Sequence, residues 1–122
     1  MERILVVDDE VEVCSVLNEF FSSRGYEVYT ALDGVSAINK VKEVRPHIVL
    51  LDIIMPGMGG IDALQEIQKI DLKIGIIMIT AVADHELAKR AIDMGAYSYI
   101  TKPLDLNYIE TVVMVKILDY LD

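Results

Sequence analysis

A doubly wound α/β fold, with five parallel strands covered on both faces by five helices, is what this chain of 122 residues predicts. Short runs rich in Ile, Val and Leu alternate with stretches of helical period along its whole length. Three of those runs are apolar almost throughout, as strands buried on both faces must be. The connections are short, with no linker, internal repeat or low-complexity stretch. The 122 residues suit one domain, spanning 1–122, because one core suffices for roughly 100 to 150 residues.

The first strand runs from Ile4 to Asp8 and the next helix sets Val13, Val16, Leu17 and Phe20 on one face, with Gly25 as its stop. The second strand covers Glu27 to Ala31, and Val35, Ile38 and Val41 mark the second helix. Ile48 to Asp52 form the third strand, followed by a helix carrying Ile61, Leu64 and Ile67. The fourth strand spans Ile74 to Thr80; Asp84 caps the next helix, which carries Leu87, Ala91 and Met94 and ends at Gly95. Tyr97 to Thr101 make the fifth strand, and Asp105 caps the last helix. There Ile109, Val113, Ile117 and Tyr120 form an inward stripe, yet Tyr108, Met114, Val115 and Leu118 are apolar on other faces. A surface helix should not be apolar all round. Either it is buried more deeply than usual or it offers a partner surface, and the second reading is favoured, with homodimerisation as one form.

Composition narrows the function. The net charge of -9, with only 11 scattered Lys and Arg, sets aside direct nucleic-acid binding, which needs clustered cations. Hydrophobic residues make up 53%, but no apolar run approaches the ~20 residues that span a bilayer, so no membrane role is expected. The start, MERILVVDDE, has no signal-peptide pattern, and a soluble, cytoplasmic protein is the expectation. Cys14 is the only cysteine, which excludes an internal disulfide and a thiolate metal cluster; it reads as a small apolar helix residue.

In a parallel sheet of this kind ligands sit beyond the carboxyl ends of the strands. Asp8 and Asp9 close the first strand, Asp52 the third and Thr80 the fourth, while Lys102 follows the fifth. One such Asp merely starts a turn; five coordinated positions ask for another explanation. Carboxylates ~4 Å apart repel by roughly 4 kcal/mol per pair at an effective dielectric of ~20, and Lys102 cannot neutralise three. Oxygen-only ligands favour a hard divalent ion, Mg²⁺ first and Mn²⁺ as the alternative. Such an ion and Lys102 would also stabilise the oxygens of a phosphoryl group in transfer. Asp52, alone at the end of a buried run, is the better nucleophile, and the Asp8–Asp9 pair suits metal holding.

The blocks VVDDE, LLDIIMPGMGG, MITA and YITKP resemble, in order and over nearly the whole chain, those of response-regulator receiver domains, the CheY-like superfamily. The resemblance implies a flavodoxin-like three-layer sandwich with strand order 2-1-3-4-5. It implies two-component signalling, with Asp52 phosphorylated by the phosphohistidine of a sensor kinase or phosphotransfer protein. By the same resemblance Asp9 and Asp52 are Mg²⁺ ligands, Asp8 acts mainly through water, and the Ile54 backbone carbonyl completes the set. Thr80 hydrogen-bonds the phosphoryl group, Lys102 pairs with it, and Tyr99 is an aromatic switch that reshapes the fourth helix, fifth strand and fifth helix for docking or dimerisation. The Lys102–Pro103 bond matches the family's cis peptide, and the upper first helix, around Val13 and Val16, its kinase-docking surface. Such a domain is a phosphoacceptor that assists its own phosphorylation and dephosphorylation rather than an enzyme.

Three positions depart from common family patterns. Gly59 stands where Asp or Asn is frequent, which removes a cap. Ile54 and Val82 are apolar where polar residues often border the path of the hydrolytic water, so slow self-dephosphorylation is expected. Competing readings are weaker. A haloacid-dehalogenase-type enzyme wants a second Asp where Ile54 stands, and a flavodoxin-like ligand-binding module wants a glycine-rich loop where DDE stands. His47 and His85 read as ordinary strand-edge or surface residues. A stand-alone regulator is the favoured reading of a chain stopping after its fifth helix, and the receiver piece of a longer transcriptional regulator is the alternative.

Overall fold

The structure is a computed structural model and describes residues 1–120. The chain runs β1 (Arg3–Val7), α1 (Val11–Ser23), β2 (Glu27–Ala31), α2 (Gly34–Val44), β3 (Ile48–Leu51), α3 (Gly60–Ile70), β4 (Gly75–Thr80), α4 (His85–Asp93), β5 (Ser98–Thr101) and α5 (Leu106–Asp119). All neighbouring strands pair in parallel, in the order 2-1-3-4-5. The switch point therefore falls between β1 and β3, where Val7 pairs with Leu51.

Alternation along each strand divides the core in two. Leu5, Val7, Val49, Leu51, Ile76 and Met78 pack under α2, α3 and α4, against Val41, Leu64, Ile67 and Ala91. Ile4, Val6, Ile48, Leu50, Ile77 and Ile79 pack on the other face with Cys14, Leu17 and Phe21 of α1 and Ile109 and Val113 of α5. Continuous apolar runs are thus needed in β1, β3 and β4, since every residue meets one core or the other.

The expected strand ends move by one residue. Asp8 and Asp52 leave the ladder, although Asp8 N–H still donates to Ala31 C=O (3.1 Å) and Asp52 N–H to Val7 C=O (3.0 Å). Ile74 belongs to the preceding turn, its N–H reaching Asp71 C=O at 3.4 Å, and Tyr97 precedes β5. Two helix stripes need correction. The buried line of α1 is Cys14, Leu17 and Phe21, with Val13 and Phe20 beside it and Val16 45% exposed. In α2, Ala37 and Val41 are buried while Val35 is 60% exposed. Both offsets put small residues, Cys14 and Ala37, at buried positions that a search for large apolar side chains passes over.

The other local readings stand. Asp84 accepts from Glu86 and Leu87 N–H, and Asp105 from Tyr108 N–H (3.1 Å). Gly25 and Gly95 follow α1 and α4 in left-handed conformations that favour glycine. On α5, Ile109 and Val113 are buried, while Tyr108, Met114, Val115 and Leu118 are exposed, so deeper burial of this helix is ruled out. Its last turn is fixed at the lower edge of the sheet by Tyr120, whose hydroxyl meets the backbone carbonyls of His47 and Lys73.

Gly60 brings α3 onto the carboxyl end of β3. A Cβ there would lie 2.2 Å from Asp52 O and 2.6 Å from Ile53 Cα, whereas one on Gly59 would sit 3.6 Å from Ile53 O. Gly60→Ala is expected to cost about 1–3 kcal/mol in urea unfolding, as overpacking does, and Gly59→Ala under about 0.5 kcal/mol. Equal losses would contradict this packing.

Candidate functional site

Continuing each strand by its period of two leads from Ile4 and Val6 to Asp8, from Ile48 and Leu50 to Asp52, and from Ile100 to Lys102. Register does the rest, since Val7 pairs with Leu51 and the next residue of each strand is an aspartate. One carboxylate oxygen each of Asp8, Asp9 and Asp52 lie within 4.8 Å of one another. Asp8 and Asp52 are only 2% and 5% exposed, and Asp9 faces solvent.

Lys102 supplies the one ammonium among them, with Nζ 2.9 Å from Asp8 Oδ2 and 3.7 Å from Asp52 Oδ2. Its backbone N–H donates to Thr80 C=O at 2.8 Å, and the Lys102–Pro103 peptide is cis. Burial alone would lower the lysine's pKa. The Asp8 hydrogen bond and the nearby carboxylates outweigh burial and hold it above its ordinary value. The Asp52 pKa is raised as well, which for a carboxylate disfavours the charged form: burial first, then Asp8, push it up against the pull of Lys102 and the Ile54 N–H. That N–H donates to Asp52 Oδ1 at 3.3 Å, and Glu10 N–H donates to Asp8 Oδ1 at 2.9 Å. The site therefore holds more negative charge than its own cation offsets. Its donors are all oxygen, and the set fits a hard divalent ion.

Thr80 and Tyr99 lie on the α2–α4 side of the sheet, Tyr99 pairing with Met78 in register. Thr80 is fully buried and its Oγ1 accepts from Val82 N–H at 3.3 Å. The Tyr99 hydroxyl donates to Val82 C=O at 2.5 Å, its ring half-buried against the core. A single residue of the β4–α4 loop thus joins the two expected switch residues. Sequence reasoning placed Val82 only on the water path; a backbone role leaves no mark in residue identity. Cys14 is the small buried helix residue expected, packed on α1 with Leu17 and Phe21, and its thiol donates to Asp8 C=O at 3.3 Å.

Ile54 touches the cluster by its backbone alone, and the two histidines fall outside it. Ile54 is 60% exposed beside Asp52. His47 lies at the opposite end of the sheet, where its Nδ1 accepts from Arg3 N–H at 2.9 Å, and His85 opens α4 in solvent.

A sequence profile of the family described as "Response regulator receiver domain" matches residues 4–114. The chain belongs to that family. This receiver domain is 37% identical over 112 residues to sporulation initiation phosphotransferase F of Bacillus subtilis (strain 168), covering 92% of this chain and 90% of that one. It is 43% identical over 106 residues to chemotaxis protein CheY of Treponema pallidum (strain Nichols), covering 84% and 74%. Regulatory protein AtoC of Escherichia coli (strain K12) is 38% identical over 113 residues, covering 93% of this chain but 24% of AtoC. Among solved structures, the CheX-CheY-BeF3-Mg+2 complex from Borrelia burgdorferi contains a chain that matches with TM-score 0.89 and 38% identity, over 93% of this chain and 87% of that one. A receiver domain protein from Clostridium thermocellum matches with TM-score 0.93 and 28% identity, over 98% and 97%. The receiver domain is thus one of the two-component phosphoacceptor family, and no helix among its described residues is long and apolar enough to cross a membrane.

The raised pKa of Asp52 has a consequence for stability. Its charged form costs folding free energy once pH exceeds the unfolded carboxylate value near ~4, and stability recovers as pH falls back through that window. In metal-free buffer at pH 7, Asp52→Asn is expected to be more stable than the wild type by about 1 kcal/mol in urea unfolding, with the gap narrowing toward pH 4. An Asn variant less stable at pH 7 would contradict the crowded-charge reading.

Proposed function

We propose that this receiver domain, residues 1–122, carries signal as an acyl phosphate on Asp52. The donor is a phosphohistidine of a sensor kinase or phosphotransfer protein. The Asp52 carboxylate attacks phosphorus, an O–P bond forms as the N–P bond breaks, and the imidazole nitrogen keeps the electron pair and takes a proton from solvent. The observation that carries this reading is the convergence of Asp8, Asp9 and Asp52 beside one paired lysine.

Asp9, Asp52 and the Ile54 carbonyl would hold Mg²⁺, or Mn²⁺ in its place, with Asp8 acting through water. Bound there, the ion offsets the carboxylate charge and the charge on the phosphoryl oxygens. Lys102 is placed to shift from Asp8 and Asp52 toward the phosphoryl group, and Thr80 to donate to it. Moving Thr80 pulls on Val82 N–H, and through Val82 C=O on Tyr99, so the bond at Asp52 reaches the α4–β5–α5 face. The exposed apolar residues of α5 make that face suited to a docking partner or a second copy. The chain is a cytoplasmic signalling protein that assists its own chemistry and binds neither nucleic acid nor membrane. An output domain attached in a longer protein is the second reading, favoured by the match to a quarter of AtoC.

Acetyl phosphate with Mg²⁺ is expected to add one phosphoryl group to the wild type by intact mass and none to Asp52→Asn. An adduct on both would overturn the assignment. Followed over time, the adduct should persist, and Ile54→Asn with Val82→Glu should shorten its life about ten-fold, because polar side chains would orient the attacking water. An unchanged lifetime would refute that role for the apolar pair.

A further inference from the structure

At the carboxyl end of the sheet, the β2–α2 turn and the β3–α3 loop face each other across a cleft of about 580 Å³. Leu32, Val35, Pro56 and Met58 give it an apolar lining. The two sides are pressed together at Gly34, where a Cβ would lie 2.9 Å from Met58 Cβ. Leu32 and Val35 are exposed, and neither core cluster includes them. Folding gives no reason for them to be apolar; a polar residue at either place would be hydrated.

The cleft borders the phosphoacceptor strand, since Pro56 and Met58 follow Asp52 in the same loop and Asp8 N–H is bonded to Ala31, the residue before Leu32. Asp52 is almost wholly buried, so a donor side chain can reach it only if the protein bearing it covers the loops around the pocket. A transient interface buries on the order of 600 Å² on each partner, which carries such a cover well past the pocket mouth. The surroundings are acidic: Asp9 and Glu10 border the pocket and Asp33 lines the cleft, while Lys102 is turned inward to Asp8. The partner that fits has an apolar contact surface edged with Lys and Arg.

We propose that the cleft between the β2–α2 turn and the β3–α3 loop is a second anchor for the phosphohistidine-bearing protein, on the α2 side of the pocket, away from the upper end of α1. This rests on the reading of Asp52 as phosphoacceptor. Val35→Asp and Leu32→Asp each place a charge on the cleft without entering either core.

The test compares two donors. Acetyl phosphate needs no docking and reports the chemistry alone, while an autophosphorylated sensor histidine kinase that labels the wild type reports docking as well. Each variant is expected to label with acetyl phosphate at a rate within about two-fold of wild type and from the kinase at least about ten-fold more slowly, the size of effect set by one apolar anchor. Kinase transfer at the wild-type rate would overturn the proposal. Equal slowing with both donors would overturn it too, because the cleft would then act through the pocket. If instead the variants alter only self-association or output-partner binding, the cleft belongs to another occupant and the proposal fails. Failure of the wild type itself to take phosphate from acetyl phosphate would refute the reading of Asp52, not the cleft.

Discussion

Crowding of negative charge at one end of the sheet is the constraint from which the rest follows. Two nearly buried carboxylates and a third at the surface lie within 4.8 Å of one another, with one ammonium between two of them. Each close pair repels by roughly 4 kcal/mol at an effective dielectric of ~20, so the fold must supply compensation from its backbone and from Lys102. It does so locally, through the N–H groups of Glu10 and Ile54, and across the sheet, through a lysine carried by the chain beyond β5. Stability is thus set aside for a site whose carboxylate charge its own lysine does not balance.

The fold can tolerate this because the rest of the sheet is apolar on both faces. Residues that alternate between the two cores bring Asp8, Asp52 and Lys102 to one side and Thr80 and Tyr99 to the other. The pocket therefore straddles the upper edge of the sheet. On that second side Val82 joins Thr80 to Tyr99 by its main-chain N–H and C=O.

Much of this was legible in the sequence, and the reason is physical. Strands buried on both faces must be apolar throughout, so a polar residue that ends such a run marks the pocket by its identity alone. The caps Asp84 and Asp105 and the stops Gly25 and Gly95 were readable because their side-chain or conformational needs are local. Helix faces were less so: Val16 and Val35 enter the expected stripes on hydrophobicity, while the buried positions are held by the small residues Cys14 and Ala37. The need for glycine at 60 depends on the distance between two segments, and the part played by Val82 on carbonyl and amide groups that every residue has. The same limit hid the cleft at Leu32 and Val35, which exists only once the two loops face each other.

Calorimetric titration with Mg²⁺ tests the central claim most directly. One ion should bind per chain, and Asp9→Ala or Asp52→Asn should each abolish the measurable heat while the protein stays folded. Undiminished binding of one ion by both variants would mean that the acidic side chains do not hold the cation, and the account of the site would fall.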